Sequence, residues 1–292
     1  MSVAAVVLSW NGREDTLACL RSLAGEAVDA IVVDNASEDG SAEAVEQAFP
    51  DVELIRNDVN RGYAGGMNVG IRRALERGAD HVLLVNNDVE VEPGAVAKLA
   101  AAAEGAGAVS PLITFAASAE TVWYAGASFD PRRGYNGRHR GLGRPAAEFT
   151  EVVATDRACG AAMLIPRAAL EEVGLLDEEL FAYFEDAEWS LRARRAGLPI
   201  RVAPAARVRH KVSASTGGEG SEAAIYYSVR NLLQITERYA PLGRFGTWRR
   251  RTVILLGYAA QALLARRPAR LRAVARGWRD FSARRLGAGR PE

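Results

Sequence analysis

The chain has 292 residues, 49% of them apolar, enough to bury the core of one large α/β domain with an appended helical part. Its only cysteines, Cys19 and Cys159, stand far apart in no metal-ligand spacing, which excludes a disulfide framework and a structural zinc site and fits a reducing cytoplasm. The net charge of +1 hides an asymmetry: residues 238–292 hold fourteen Arg against Asp280 and Glu292, a tail suited to an anionic partner.

The chain enters an apolar, strand-like run at residues 3–8 with no basic leader or small-residue cleavage site, so no secretory signal is expected. A helix over 13–23, a strand at 30–33 and a helix at 41–48 follow, which is the βα rhythm of a parallel sheet. Next come a strand at 52–56, a helix at 65–77 and a strongly apolar strand at 81–85 that runs into Asn86, Asn87 and Asp88. Functional loops lie at the carboxyl ends of such strands. Three polar clusters fall there: Ser9, Trp10 and Asn11; Asp34, Asn35 and Ser37; and Asn87 with Asp88. After a helix at 93–103 the pattern loosens, and Gly, Pro and Arg crowd residues 126–145, which predicts loops and short strands over the site. Order returns with a strand at 158–165, a helix at 167–173, and a segment at 180–196 that begins aromatic and ends helical and basic. His210 closes a short strand-like stretch, the Gly/Ser-rich residues 213–220 are expected to form a mobile lid, and helices follow from 223.

Five groups in these loops carry candidate chemistry. Asp34, in IVVDNASEDGS, is placed either to cap the next helix or to accept a hydrogen bond from the imide N–H of a uracil or thymine base. The glycines of NRGYAGGMNVG lack the spacing of a dinucleotide fingerprint and the ending of a P-loop. They serve tight helix packing, or they let Arg61 and the backbone N–H groups up to Gly66 approach a nucleotide, with Asn68 fixing the loop. Asp88, in LVNNDVE, offers a carboxylate to Mg²⁺ or Mn²⁺, ions that take oxygen ligands from carboxylates and substrate phosphates together. In FAYFEDAEW the acids sit among aromatics, and a partly desolvated carboxylate there suits proton acceptance. Asp186 is the candidate base, with Glu185 as runner-up or as the group that orients the acceptor. His210 is the fifth, a structural histidine or, with a metal at Asp88, a second ligand.

In this order VVLSWNG, IVVDNASEDGS, NRGYAGGMNVG, LLVNNDVEVEPGAV, ACGAAMLIPRAAL, GLLDEELFAYFEDAEWSLRARRAG, RVRH and YYSVRN span residues 3–239. Together they resemble family 2 glycosyltransferases of the GT-A fold, most closely the bacterial rhamnosyltransferase-like branch. The resemblance implies an α/β protein with a mostly parallel central sheet flanked by helices and a C-terminal helical extension. It divides the chain into a catalytic domain at 1–222, with a nucleotide-sugar half to about residue 110 and an acceptor half after it, and a basic helical region at 223–292. Ser9, Trp10 and Asn11 match the strand-end motif at the nucleoside, Asp34 the base-recognising acid and Arg61 a nucleotide contact. Asn35, Gly66 and Asn68 lie in the same segments. Asn87 and Asp88 fall on the Asp-x-Asp element, Asp186 on the base, Glu185 on its acidic neighbour and His210 on the late histidine that reaches the metal. Where the fuller element has an acid this chain has Asn86, so Asp88 is the sole carboxylate at that strand end. The implied activity is an inverting, metal-assisted transfer from a dTDP or UDP sugar, with dTDP-rhamnose first, to a glycan or lipid-linked acceptor.

In residues 247–264 an Arg cluster precedes VILLGYAAQALLA, a run too short to span a bilayer comfortably. A pair of basic amphipathic helices here either lies on an anionic membrane, at the inner face of the cell membrane, or packs on the catalytic domain, or forms a homodimer interface. Nucleic acid fits less well, because the charges share the segment with a continuous apolar surface. Two other classes of function compete. A sugar nucleotidyltransferase needs a glycine-rich N-terminal loop with a basic residue, which VVLSWNG lacks. A non-catalytic sugar or lipid-carrier binding module would tolerate loss of Asp88 and Asp186, and both are present.

Overall fold

The computed structural model describes residues 1–129, 137–212 and 220–289. Its first half follows the expected βα rhythm: β1 (Val3–Ser9), α1 (Arg13–Leu23), β2 (Asp29–Asp34), α2 (Ser41–Ala48), β3 (Glu53–Arg56), α3 (Gly62–Glu76) and β4 (His81–Asn86). β1 pairs in parallel with β2 and β4, in a register that sets Ser9 beside Asp34 and Leu8 beside Asn86. The strand ends are therefore flush, and the three polar clusters share one edge. α3 lies close on these strands because it turns glycines toward them. A Cβ on Gly66 would come within 2.4 Å of Leu8 Cδ1, and one on Gly70 within 2.2 Å of Val6 Cγ1.

The second half comprises β5 (Val89–Val91), α4 (Ala95–Ala101), β6 (Ala108–Phe115), β7 (Ser118–Tyr124), β8 (Ala127–Ser128), β9 (Arg138–His139), β10 (Val153–Thr155), β11 (Ala162–Pro166), α5 (Arg167–Val173), α6 (Glu185–Arg195) and β12 (Ile200–His210). The sheet runs β10-β12-β6-β11-β4-β1-β2-β3, with β5 on β12 and β7 on β6. Along that path β3, β2, β1, β4, β6 and β12 point one way, and β11 and β10 oppose them. The sheet is thus mixed but mostly parallel. The loose region after α4 holds more order than its composition suggested, since β6 runs through the middle of the sheet and is buried over all but its last residue. Ser110 and Pro111 disguise it. Pro111 lies at a register shift of β12 between Ala203 and Arg207, where the ladder needs no N–H from it. The strand before His210 is also longer than expected, at eleven residues. The residues expected to form a lid, 213–219, lie outside the described residues.

Apolar side chains pack on both sheet faces. Leu20, Leu23 and Leu99 from α1 and α4 fill one side, and Met67, Ile71 and Trp189 from α3 and α6 fill the other. A third cluster joins α6 to the C-terminal helices α7 (Glu222–Tyr239), α8 (Arg244–Leu264) and α9 (Pro268–Ser282) through Leu180, Leu191, Tyr226, Leu232, Ile254 and Val274. Among the described residues no helix is long and apolar enough to cross a membrane.

Candidate functional site

At the carboxyl ends of β1, β2 and β4 the expected nucleotide residues divide into a frame and the groups it presents. Ser9 Oγ pairs with Thr16 Oγ1 at 3.0 Å, and Asn87 Nδ2 donates to Thr16 Oγ1 and to the Asn11 carbonyl. Asn11, at a φ of 55°, donates its N–H to Ser37 Oγ and accepts from the Glu38 N–H on Oδ1. Asn35 Oδ1 accepts from the Arg61 N–H and from Asn57 Nδ2, while its own Nδ2 donates to Asn60 Oδ1 and the Gly62 carbonyl. Asn68 uses both ends of its amide on Leu176 and donates also to Glu178, and Gly66 gives α3 room against Leu8. These residues shape the cradle. What it presents is Asp34, Trp10 and the exposed side chain of Arg61. The Asp34 carboxylate is buried and accepts the Ser37 N–H on Oδ2, but its Oδ1 has no hydrogen-bond partner among the described residues. A buried carboxylate oxygen left this way calls for a donor.

Asp88 reaches His210 through strand pairing. The turn after β4 leads into β5, which pairs antiparallel with the end of β12 so that His210 faces Val89. His210 Nε2 then lies 3.2 Å from Asp88 Oδ1, both side chains are buried, and Trp123 packs edge-on against the imidazole at 4.7 Å. An oxygen and a nitrogen ligand converge, which fits a divalent ion. No group of three or more His, Cys, Asp or Glu side chains able to hold a metal occurs among the described residues. The remaining coordination positions would go to diphosphate oxygens and water, as is usual for Mg²⁺.

The acid pair opens α6. Both oxygens of Asp186 lie within 2.8 Å of Arg157 Nη2, Oδ2 also accepts the Gly160 N–H, and Oδ1 accepts its neighbour's N–H at Ala187. This carboxylate is fully engaged and buried. Glu185 is buried beside it, and its Oε2 has no hydrogen-bond partner among the described residues. Burial, and then the Asp186 charge, push the Glu185 carboxyl up to about 8, against the weaker opposing pull of Arg157. The segment before the pair is strained: Phe181, Tyr183 and Phe184 have φ of 63°, 68° and 72°, a region aromatic residues avoid. It is pinned from α7. Asn231 Nδ2 lies 2.8 Å from the carbonyls of Leu180, Ala182 and Tyr183. Arg230 Nε donates to Asn231 Oδ1, and its Nη2 donates to the Leu180 carbonyl.

Tyr63 links the parts. Its hydroxyl donates to the Gly160 carbonyl at 2.5 Å, and burial followed by the charges of Glu185, Asp186 and Asp88 raises its pKa well above the usual value. Because the Gly160 N–H donates to Asp186, this bond ties α3 to the acid pair. Arg157, Tyr63, Trp123 and the Arg230–Asn231 pair escaped the sequence reading. Tyr63 lies within NRGYAGGMNVG and the Arg230–Asn231 pair within YYSVRN, whereas no local motif marks Arg157 or Trp123.

Comparison with known proteins points the same way. Glycosyl transferase family 2 matches residues 4–174. The N-acetylglucosaminyl-diphospho-decaprenol L-rhamnosyltransferase of Mycobacterium tuberculosis is 28% identical over 273 residues, which cover 85% of this chain and 86% of the relative. The dTDP-rhamnosyl transferase RfbF of Shigella flexneri is 24% identical over 253 residues, 82% of each chain. Among solved structures, that of GalNAc-T7 with UDP, GalNAc and Mn²⁺ superposes with a TM-score of 0.64 at 17% identity, over 81% of this chain and 48% of that one. The fold is of the GT-A type.

Proposed function

The chain belongs to glycosyl transferase family 2 and moves a sugar from a nucleotide donor, and on that premise we propose that it transfers L-rhamnose from dTDP-rhamnose to a hydroxyl of a lipid-linked glycan acceptor. The Mycobacterium and Shigella relatives, both rhamnosyltransferases by name, support that choice of sugar, and the diphospho-decaprenol of the former supports the acceptor class. The catalytic part is residues 1–222, with donor binding before about residue 110 and the acceptor after it. Asp34 Oδ1 receives the imide N–H of the thymine, and Trp10 and Arg61 border the nucleotide.

Transfer is a single displacement with inversion. The acceptor oxygen attacks the anomeric carbon, the bond to the diphosphate breaks, and the acceptor's proton passes to the Glu185–Asp186 pair. Arg157 and two backbone N–H groups fix the Asp186 carboxylate in place. Glu185, with an uncommitted oxygen and a raised proton affinity, completes a base suited to near-neutral pH. Mg²⁺ or Mn²⁺ held by Asp88 and His210 would neutralise charge growing on the departing diphosphate. Tyr63 carries this reading: its hydroxyl donates to the Gly160 carbonyl while the Gly160 N–H donates to Asp186, so the helix that follows Arg61 is tied directly to the acid pair.

A thermal-shift series with dTDP-, UDP- and GDP-sugars, with and without Mn²⁺, followed by assay of dTDP release from dTDP-rhamnose, tests the proposal. Stabilisation by dTDP-rhamnose that grows with Mn²⁺ is expected. Absence of both stabilisation and nucleotide release for every donor would refute it.

A further inference from the structure

α8 is amphipathic in an unusual sense, because its second apolar face is left bare. Its inner face packs Ile254, Leu255, Tyr258 and Ala262 into the cluster shared with α7 and α9. Its outer face exposes Phe245 (75%), Trp248 (61%), Leu256 (63%) and Leu264 (85%), with Val253 and Leu263 beside them. A row of large apolar side chains along one helix exceeds the scattered exposure of an ordinary surface. At 1.5 Å per residue this 21-residue helix presents a ridge roughly 30 Å long.

The charge around the ridge identifies what covers it. Arg244 and Arg249 flank its start and Arg266 and Arg267 its end, and none of the four makes an ion pair among the described residues. Between residues 240 and 289 the sole acid is Asp280, which is buried and bonded to Tyr226 and Arg285. Acids of α7 relieve only Arg251 and Arg276, through Glu237 and Glu222, so the flanks of the ridge stay positive. A second copy docked through the same face across a two-fold axis would set these arginines against each other. An anionic bilayer takes both features at once, the apolar row entering the headgroup–acyl boundary and the arginines reaching lipid phosphates.

The inner face of α8 also packs in the same apolar cluster as Phe184 and Ala187, the residues on either side of the acid pair. We propose that the outer face of α8 docks flat on an anionic membrane and holds the acid pair at the bilayer surface, where a lipid-diphosphate acceptor presents its hydroxyl. The second half of this statement rests on the acceptor class proposed above; the docking itself does not.

Cosedimentation of the full chain with equimolar phosphatidylcholine–phosphatidylglycerol vesicles, and with phosphatidylcholine alone, tests the docking without donor or acceptor. Binding to the mixed vesicles should be at least about tenfold stronger than to neutral ones and should weaken by a similar factor in about 0.5 M NaCl. Trp248→Glu and Leu256→Glu should each abolish it while leaving melting temperature and dTDP release from dTDP-rhamnose unchanged, because both side chains point to solvent. Failure to bind anionic vesicles, or binding that survives both substitutions, would overturn the proposal. So would a dimer in analytical ultracentrifugation that Leu256→Glu dissociates while vesicle binding persists. Since binding is read without turnover, a failed donor assay and a failed docking surface are told apart.

Discussion

The strand-end cradle and the acid loop both hold polar groups still, but by different means. In the cradle, Ser9, Asn11, Asn35 and Asn87 hydrogen-bond to partners within residues 11–62, and Asn68 alone reaches out, to Leu176 and Glu178. In the acid loop, three aromatic residues sit at positive φ, each at a cost of about 1–3 kcal/mol, and the carbonyls of Leu180, Ala182 and Tyr183 are held by Asn231 from 51 positions or fewer along the chain. Apart from Asn68, the cradle is held by bonds among its own segments. The loop takes its rigidity from the C-terminal helices, so damage to α7 should reach the chemistry before it reaches donor binding.

The largest expected effect is at the acid pair itself. Asp186→Asn should lower kcat by about three orders of magnitude with little change in donor KM, and a loss under tenfold would sink the role given to the pair. Glu185→Gln sharpens the point through pH. In the native enzyme kcat should rise between pH 7 and the Glu185 value of about 8, and the variant should lose that rise. The same group ties stability to pH. The unfolded chain releases this proton near 4.5 and the folded protein keeps it to about 8, so the folded state binds more protons in that window. Stability should therefore fall as pH climbs from about 4.5 to about 8, and a melting series of Glu185→Gln should show a shallower fall.

Next comes the joint between the two regions. Gly62 has a φ of +72°, and a Cβ there would lie 2.5 Å from the Phe181 carbonyl oxygen. Gly62→Ala should raise donor KM and lower kcat together, by about tenfold each, and destabilise the fold by about 1–3 kcal/mol. A variant changed in one constant alone would mean that cradle and loop are not coupled at this contact. Asn231→Ala should then separate them: kcat falls about tenfold to thirtyfold, donor KM holds, and the buried carbonyls left without a donor cost about 1–3 kcal/mol in a denaturant titration. If KM moves and kcat does not, the loop is not what Asn231 positions. The smallest effect is expected in the cradle, where Asp34→Asn should raise KM for dTDP-rhamnose about tenfold at constant kcat. Equal KM values for the two proteins would remove Asp34 from base recognition.

The cradle was legible in the chain because each of its strands announces itself with a short apolar run and ends on its polar residues. The alternation of β1, α1, β2, α2 and β3 followed from periodicity, and the flush ends of β1, β2 and β4 followed from parallel pairing. β6 was not legible, because Ser110 and Pro111 interrupt its apolar pattern, and only the sheet around it explains why they are tolerated. Arg157 lies in a stretch with no motif, yet it anchors Asp186.

By itself, the sequence determined which residue types stand at the strand ends, that Asp88 would be the lone carboxylate after β4, and that Glu185 and Asp186 would open a helix behind an aromatic run. Tertiary structure decided how those groups are used. Pairing of β5 with β12 brings His210 to Asp88 across more than a hundred residues, and Arg157 commits one acid of the pair while leaving an oxygen of the other open. Local patterns record how each segment meets solvent and core. Long-range hydrogen bonds and burial, which aim each carboxylate and raise the proton affinity of Glu185, exist only once the sheet has assembled around them.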